Sequence, residues 1–201
     1  MYLPKIREIK EALISFFSAP YTTKFPAEGF KPAEEFRGFP RYHADVCVGC
    51  GTCAQVCPPN AIKIEDDREN KTRKLVVDYR SCIHCGQCNE KCITVDGITP
   101  TAEYSFSYMG KDDSFLHETI EKELVICECC GEIIATRDHL RWVRDRLGAK
   151  AYAHPTLMLI LQEELFDELE PSLPKSRIRR EDYMKVVCAK CRQKVVVEDE
   201  F

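Results

Sequence analysis

Cys47, Cys50, Cys53 and Cys57 follow the spacing C-x-x-C-x-x-C-x-x-x-C, and Cys82, Cys85, Cys88 and Cys92 repeat it. The repeat extends beyond the thiols, since residues 46–64 lie over 81–98 with Gly51 against Gly86. No other feature constrains the fold as strongly. Three thiols on one tight loop are too close-set to make a four-ligand zinc site by themselves, but they suit three corners of an iron–sulfur cubane, the fourth thiol coming from elsewhere. The chain has 13 cysteines, an odd number falling in C-x-x-C steps, which favours metal thiolates over a disulfide framework. Between the copies, residues 61–65 and 75–78 alternate or run apolar around a charged stretch, 66–74, which predicts a β-hairpin.

Residues 46–66 and 81–99 resemble a bacterial-type two-cluster ferredoxin domain, and Cys57–Pro58 followed by Ala61–Ile62 is that family's usual continuation. In such domains the last cysteine of each run ligates the other cluster. The resemblance therefore implies two 4Fe–4S clusters, one on Cys47, Cys50, Cys53 and Cys92 and the other on Cys82, Cys85, Cys88 and Cys57. The second copy departs from the pattern: Ile93 rather than Pro follows Cys92, and the path to Gly97–Ile98 is one residue longer. Gly51 and Gly86 are expected to let backbone N–H groups approach the sulfides, and Ile62 and Ile98 to keep water away. His84 reads as an ordinary loop residue beside a cluster.

A second thiol set lies towards the C-terminus. Cys127 and Cys130, and Cys188 and Cys191, form two C-x-x-C steps flanked by strand-forming residues, which predicts two hairpin knuckles of a zinc-ribbon or rubredoxin-like site. Four soft thiolates suit zinc and also a mononuclear iron. The gap between the steps is much longer than such sites use, so the segments between them are read as a helical insertion. A helix is expected over 138–147, closed by Gly148, and another from Pro155 to Pro171 with a core stripe of Leu157, Leu161, Leu165 and Leu169. Ahead of the first step, 101–109 is expected as a strand and 113–123 as a helix. The site's expected task is to fasten a module with a thin core. Cys129 is left over, either a spare thiol or a substitute ligand.

Leu3, Ile6, Ile9, Leu13, Phe16 and Phe17 recur at helical spacing and predict an amphipathic helix over 3–17. Pro20, Pro26, Pro32 and Pro40, interleaved with Tyr21, Phe25, Phe30, Phe36, Phe39 and Tyr42, then predict an extended arm. That arm docks either on its own domain or on a partner subunit or membrane. The expected architecture is α+β in three parts: helix and arm over 1–42, a two-cluster ferredoxin domain over 43–100, and a helical module with the four-cysteine site over 101–201. The formal charge is −4, with the acidic excess in 101–201, which lacks the footprint of a nucleic-acid binder. Arg137, Arg141 and Arg144 share a face, read as solvated, with docking of an acidic partner as the alternative. His43, His117, His139, His154 and Trp142 have no partner by spacing and are assigned to packing or surface. No secretory layout or membrane-length apolar run appears, so a cytoplasmic protein is expected.

The chain as a whole is similar to one family. A helix, an arm ending in Phe36–Arg37–Gly38–Phe39–Pro40–Arg41–Tyr42 and a two-cluster domain resemble the two-cluster subunit of complex I and of group 4 membrane-bound nickel–iron hydrogenases. The C-terminal knuckles look like the formate hydrogenlyase type of that subunit. The resemblance implies an electron-transfer subunit with no catalytic residues, peripheral on the inner face of the cell membrane. It would relay electrons between an input module (a formate or carbon monoxide dehydrogenase, or a ferredoxin) and the hydrogenase small subunit, with the N-terminal helix near the integral membrane subunits. The alternatives are a complex I-type NADH- or ferredoxin-quinone oxidoreductase subunit, a metal-ribbon interaction module with structural or sensory clusters, and a free soluble carrier.

Overall fold

The computed structural model describes residues 5–20, 22, 27–29, 31–105, 113–166 and 185–197, and the chain forms two compact units, 1–36 and 37–201. In the first, helix α1 (Ile6–Phe17) begins where the Glu8 carboxylate accepts the Lys5 N–H at 3.0 Å. It ends where the Ser18 N–H reaches back to Ile14 O. Its apolar stripe is open: Ile6, Phe16 and Phe17 are each more than 80% exposed.

The second unit opens with β1 (Pro40–Tyr42), which pairs antiparallel with β4 (Ile98–Pro100) in a two-stranded sheet. The end of the proline-rich arm is thus a strand on its own domain: the Gly38 N–H donates to Thr101 O, and Phe39 is buried against Tyr79 and His84. Pro40 is tolerated because this strand lies at a sheet edge. The predicted hairpin is present and longer than expected, as β2 (Ile62–Asp67) and β3 (Thr72–Asp78). Asp67 shapes its turn by accepting the N–H groups of Glu69 and Asn70.

The helix expected over 113–123 is instead a short 3-10 turn, Ser114–Leu116, and a strand, β5 (His117–Ile126). Leu116, Ile120 and Leu124 recur every four residues, a spacing that puts them on one side of a helix and equally on one face of a strand. The free edge of β3 decided between the two, and Thr119, Ile120, Val125 and Ile126 supply the β-branched residues a strand prefers. The strand expected over 101–109 is not formed at 101–105, and 106–109 lie outside the described residues. β6 (Ile133–Thr136) completes a four-stranded sheet of order β2-β3-β5-β6, which runs across the division drawn at residue 100.

Thr136 caps α4 (Arg137–Leu147), its hydroxyl accepting the His139 N–H, and Gly148 ends the helix as expected. α5 (Pro155–Phe166) starts at Pro155 and buries Leu157 and Ile160; Leu169 and Pro171 lie outside the described residues. The second C-x-x-C step opens a helix, α6 (Ala189–Val197), rather than a hairpin. Ala189, Lys190, Arg192, Gln193 and Lys194 are good helix formers, and they outweigh the flanking valines. One core gathers Phe39, Ile62, Leu75, Val77, Tyr79, Ile98 and Ile120 around Cys53. The C-terminal cores are small, and one consists of Cys127, Cys191 and Val187.

Candidate metal centres

The sequence repeat is also a repeat of backbone conformation. Gly51 and Gly86 take φ of 82° and 77° and start the short helices α2 (Thr52–Gln55) and α3 (Gln87–Glu90). Gly49 at 66° matches His84 at 54°, and Asn60 at 53° matches Val95 at 70°. Each copy therefore places three left-handed residues at the same offsets from its thiols. The extra residue of the second copy is accommodated after Val95, at Asp96, which leaves the cysteine loop itself undisturbed.

All 13 thiols are free of disulfides, and the two runs interleave. A Cβ built on Gly97 would stand 3.1 Å from Cys92 Sγ and 3.3 Å from Cys47 Cα, so the last thiol of the second run lies beside the backbone that carries the first thiol of the first. The electrostatics agree. Burial raises the pKa of Cys47, the Gly49 N–H and Lys122 act against it, and Cys50 and Cys92 add to it. Burial pushes Cys53 up to about 12, with the Tyr42 hydroxyl opposing and Cys47 and Cys50 adding. Burial likewise raises Cys82, against the His84 N–H, and its thiol neighbours are Cys57 and Cys85; Cys88, up to about 11 by burial, feels Cys82 and Cys85. Buried and crowded thiols resist ionisation until positive charge compensates them, which is the environment that iron completes. Cys57, Cys82, Cys85 and Cys88 line one apolar cavity with Ile62 and Val77, and Ile62 and Ile98 are 3% and 2% exposed, as a water-free cluster requires.

The third set is a single compact group. The Sγ atoms of Cys127, Cys130, Cys188 and Cys191 all lie within 4.8 Å of one another. A tetrahedral ion with metal–sulfur bonds of about 2.3 Å has sulfurs about 3.8 Å apart, and Cys130 and Cys188 are 3.8 Å apart. Burial opposes ionisation of Cys127, but the N–H groups of Cys130, Cys188 and Cys129 outweigh it and bring the thiol down to about 6. Cys127 and Cys191 are buried, whereas Cys129 and Cys130 are exposed. Cys129 lies outside the group of four converging sulfurs.

Comparison with known proteins decides the family. Residues 46–95 match the family described as 4Fe-4S dicluster domain. An NADH-quinone oxidoreductase subunit I of Geobacter metallireducens is 33% identical over 129 residues, covering 60% of this chain and 98% of that protein. The chain belongs to the NADH-quinone oxidoreductase subunit I family. It is a 4Fe–4S electron-transfer subunit of an oxidoreductase complex. An NAD(P)H-quinone oxidoreductase subunit I of Gloeobacter violaceus is 36% identical over 99 residues, and there the alignment spans only 47% of each protein. Formate hydrogenlyase subunit 6 of Escherichia coli is 37% identical over 46 residues, 23% of this chain and 26% of that protein. Among the described residues no helix is long and apolar enough to cross a membrane.

Around the subunit's cysteine loops stand residues that spacing could not find. The Tyr42 hydroxyl lies 3.7 Å from Cys53 Sγ, and burial, followed by the charges of Cys53, Cys47 and Cys88, raises its pKa. Arg37 donates to Cys85 O, Arg73 to Gly49 O, Lys122 to Ala44 O and Thr136 to Val48 O. All four carbonyls belong to the cysteine loops or their approach. The histidines serve locally: His84 packs edge-on against Phe39, His43 bonds Thr99 at 2.7 Å, His117 meets Arg80, His154 meets Arg192, and His139 lies beside Trp142. Arg137, Arg141 and Arg144 pair with Glu123, Asp138 and Asp145.

Proposed function

We propose that this subunit carries two 4Fe–4S clusters, one on Cys47, Cys50, Cys53 and Cys92 and one on Cys82, Cys85, Cys88 and Cys57, and passes electrons between them. The single observation behind this ligand set is the exchange of last thiols, Cys92 beside Cys47 and Cys57 beside Cys82. When bound, each cluster takes up and releases one electron at a time. The chain's own residues supply the cradle. The Gly49 N–H is directed at Cys47 and the His84 N–H at Cys82, Ile62 and Ile98 exclude water, and Tyr42 offers a hydroxyl to Cys53.

Cys127, Cys130, Cys188 and Cys191 form, on this reading, a structural zinc or mononuclear iron site that ties α6 to the β5–β6 turn. The relatives' names support a complex that reduces quinone or evolves hydrogen. We favour the hydrogenase branch, in which the subunit relays electrons from a formate or carbon monoxide dehydrogenase, or a ferredoxin, to the hydrogenase small subunit, at the inner face of the membrane. The C-terminal thiol set is the feature that favours it over the complex I-type reading.

Anaerobic purification with metal and sulfide analysis tests the reading. About eight iron and eight acid-labile sulfide are expected, with one further zinc or iron that is lost in Cys188→Ser. A value near four iron overturns the two-cluster assignment. Flavin and quinone activity in the co-purifying complex, without nickel, moves the assignment to the complex I branch.

A further inference from the structure

Arg73 and Lys122 are directly opposite partners in the β3–β5 ladder, so their side chains leave the sheet on the same face. Like charges in that position repel, yet both are largely buried, at 15% and 12% side-chain exposure. Both reach one place, the loop that carries Cys47 and Cys50. Arg73 donates to Gly49 O at 3.2 Å, and Lys122 donates to Ala44 O at 2.6 Å. The Lys122 stem lies against the loop itself, since a Cβ on Gly49 would stand 3.0 Å from Lys122 Cγ. Each cation has a carboxylate behind it: Asp66 clasps Arg73 through both oxygens, and Asp138 pairs with Lys122 at 2.8 Å. The charge of Lys122 is felt at Cys47. Arg37, the cation that touches the other cysteine loop at Cys85 O, is exposed and therefore screened by water and salt.

We propose that Arg73 and Lys122 form a cationic seat beneath the first cysteine loop, and that Lys122, poised by Asp138, sets the reduction potential of the cluster on Cys47, Cys50, Cys53 and Cys92 while leaving the other cluster's unchanged. This rests on the ligand reading above. Reduction adds one negative charge to a centre already anionic, and a poorly screened ammonium stabilises the reduced form more than the oxidised one. Removing the cation lowers the potential. Removing the carboxylate behind it leaves the cation less compensated and raises the potential. Lys122 is a positioning residue: it acts through the Ala44–Gly49 backbone and through its charge, and ligates nothing.

The test is potentiometric titration of the anaerobically purified full chain, following each reduced cluster by electron paramagnetic resonance, for Lys122→Gln, Asp138→Asn and Lys122→Arg. The midpoint of one cluster, the one whose signal Cys50→Ser abolishes, is expected to fall in Lys122→Gln, to rise in Asp138→Asn and to stay near the parent value in Lys122→Arg. The second midpoint stays fixed in all three. Both substitutions break the same ion pair, so a merely structural role would move the potential in one direction in both, and that result overturns the proposal. Equal shifts of both clusters, or none, also overturn it. Iron content near four in the parent protein overturns the ligand reading instead, which separates the two failures. Where Lys122→Gln does not accumulate, the opposite-sign expectation is carried by Asp138→Asn, and a fall or no change there overturns the proposal.

Discussion

The two cysteine loops have nearly the same backbone and very different surroundings. In the first, Gly49, Gly51 and Cys53 are buried; their counterparts His84, Gly86 and Cys88 are partly exposed, and Ile83, matching Val48, is 62% exposed. The first loop is pinned by Lys122, Thr136 and Arg73 from the sheet. The arm covers the second, through Arg37 and Phe39. A duplicated ligand loop thus specifies where iron binds, and the unduplicated remainder of the chain makes the two sites unequal. Potential follows hydrogen bonding, charge and burial around a cluster, so the inequality belongs to the sheet rather than to the repeat.

The largest effect expected is from exchanging ligands across the repeat. Cys92→Ser, although in the second run, should abolish the same paramagnetic signal as Cys50→Ser and reduce iron by about half, from about eight to about four. Cys57→Ser should mirror it on the other signal. Loss of the Cys85→Ser signal by Cys92→Ser would show that each run serves itself.

Next comes Gly49→Ala. Its φ of 66° and a Cβ only 3.0 Å from both Lys122 Cγ and Thr136 Cγ2 add backbone strain to overpacking, at a cost of about 2–4 kcal/mol. The matching residue, His84, already carries a Cβ at φ 54° in a more open place. His84→Gly relieves that backbone strain but gives up the ring contact with Phe39, so it should change stability by no more than about 1 kcal/mol. Denaturant midpoints read from cluster absorbance under anaerobic conditions check both, and equal losses would refute the contrast drawn between the loops.

Thr136→Val should cost about 1–3 kcal/mol, because the Val48 carbonyl loses the Thr136 hydroxyl as its donor in a place where Thr136 itself is fully buried. The same denaturant series measures it. The smallest change goes the other way. Val95 is a β-branched residue at φ 70° and 66% exposed, so it bears left-handed strain without packing in return. Val95→Asn, copying Asn60 of the first loop, should stabilise the protein by about 1 kcal/mol. No rise in the midpoint would mean that the second loop relies on Val95 in a way the first does not rely on Asn60.

Much of the site was legible because thiol spacing is local. The interval between cysteines on a tight loop determines which sulfurs converge, so the two runs and both C-x-x-C steps could be placed without tertiary information. The hairpin around 66–74, the helices from 138 and 155 and the stop at Gly148 were legible for the same reason. The strand β5 was not legible, because apolar residues four apart satisfy both periods, nor was the helix α6, because valines flank a step whose own residues favour helix. Tyr42, Arg73, Lys122 and Thr136 left no mark in the sequence. Each acts on a partner brought close only by the sheet and β1, and nothing in a lysine between two glutamates announces that its ammonium will cap a carbonyl at Ala44.

By itself, the sequence determined the chemistry: soft thiolates in a duplicated tight spacing have few uses other than binding iron–sulfur clusters, and covalent proximity holds three thiols of each run together. Tertiary structure decided the rest. It brought Cys92 of the second run beside Cys47 of the first, laid β5 against β3 over the first loop, and set a largely buried pair of cations beneath that loop. These are long-range choices, made by the free edge of a hairpin and by burial, and they distinguish two sites that the repeat leaves almost alike.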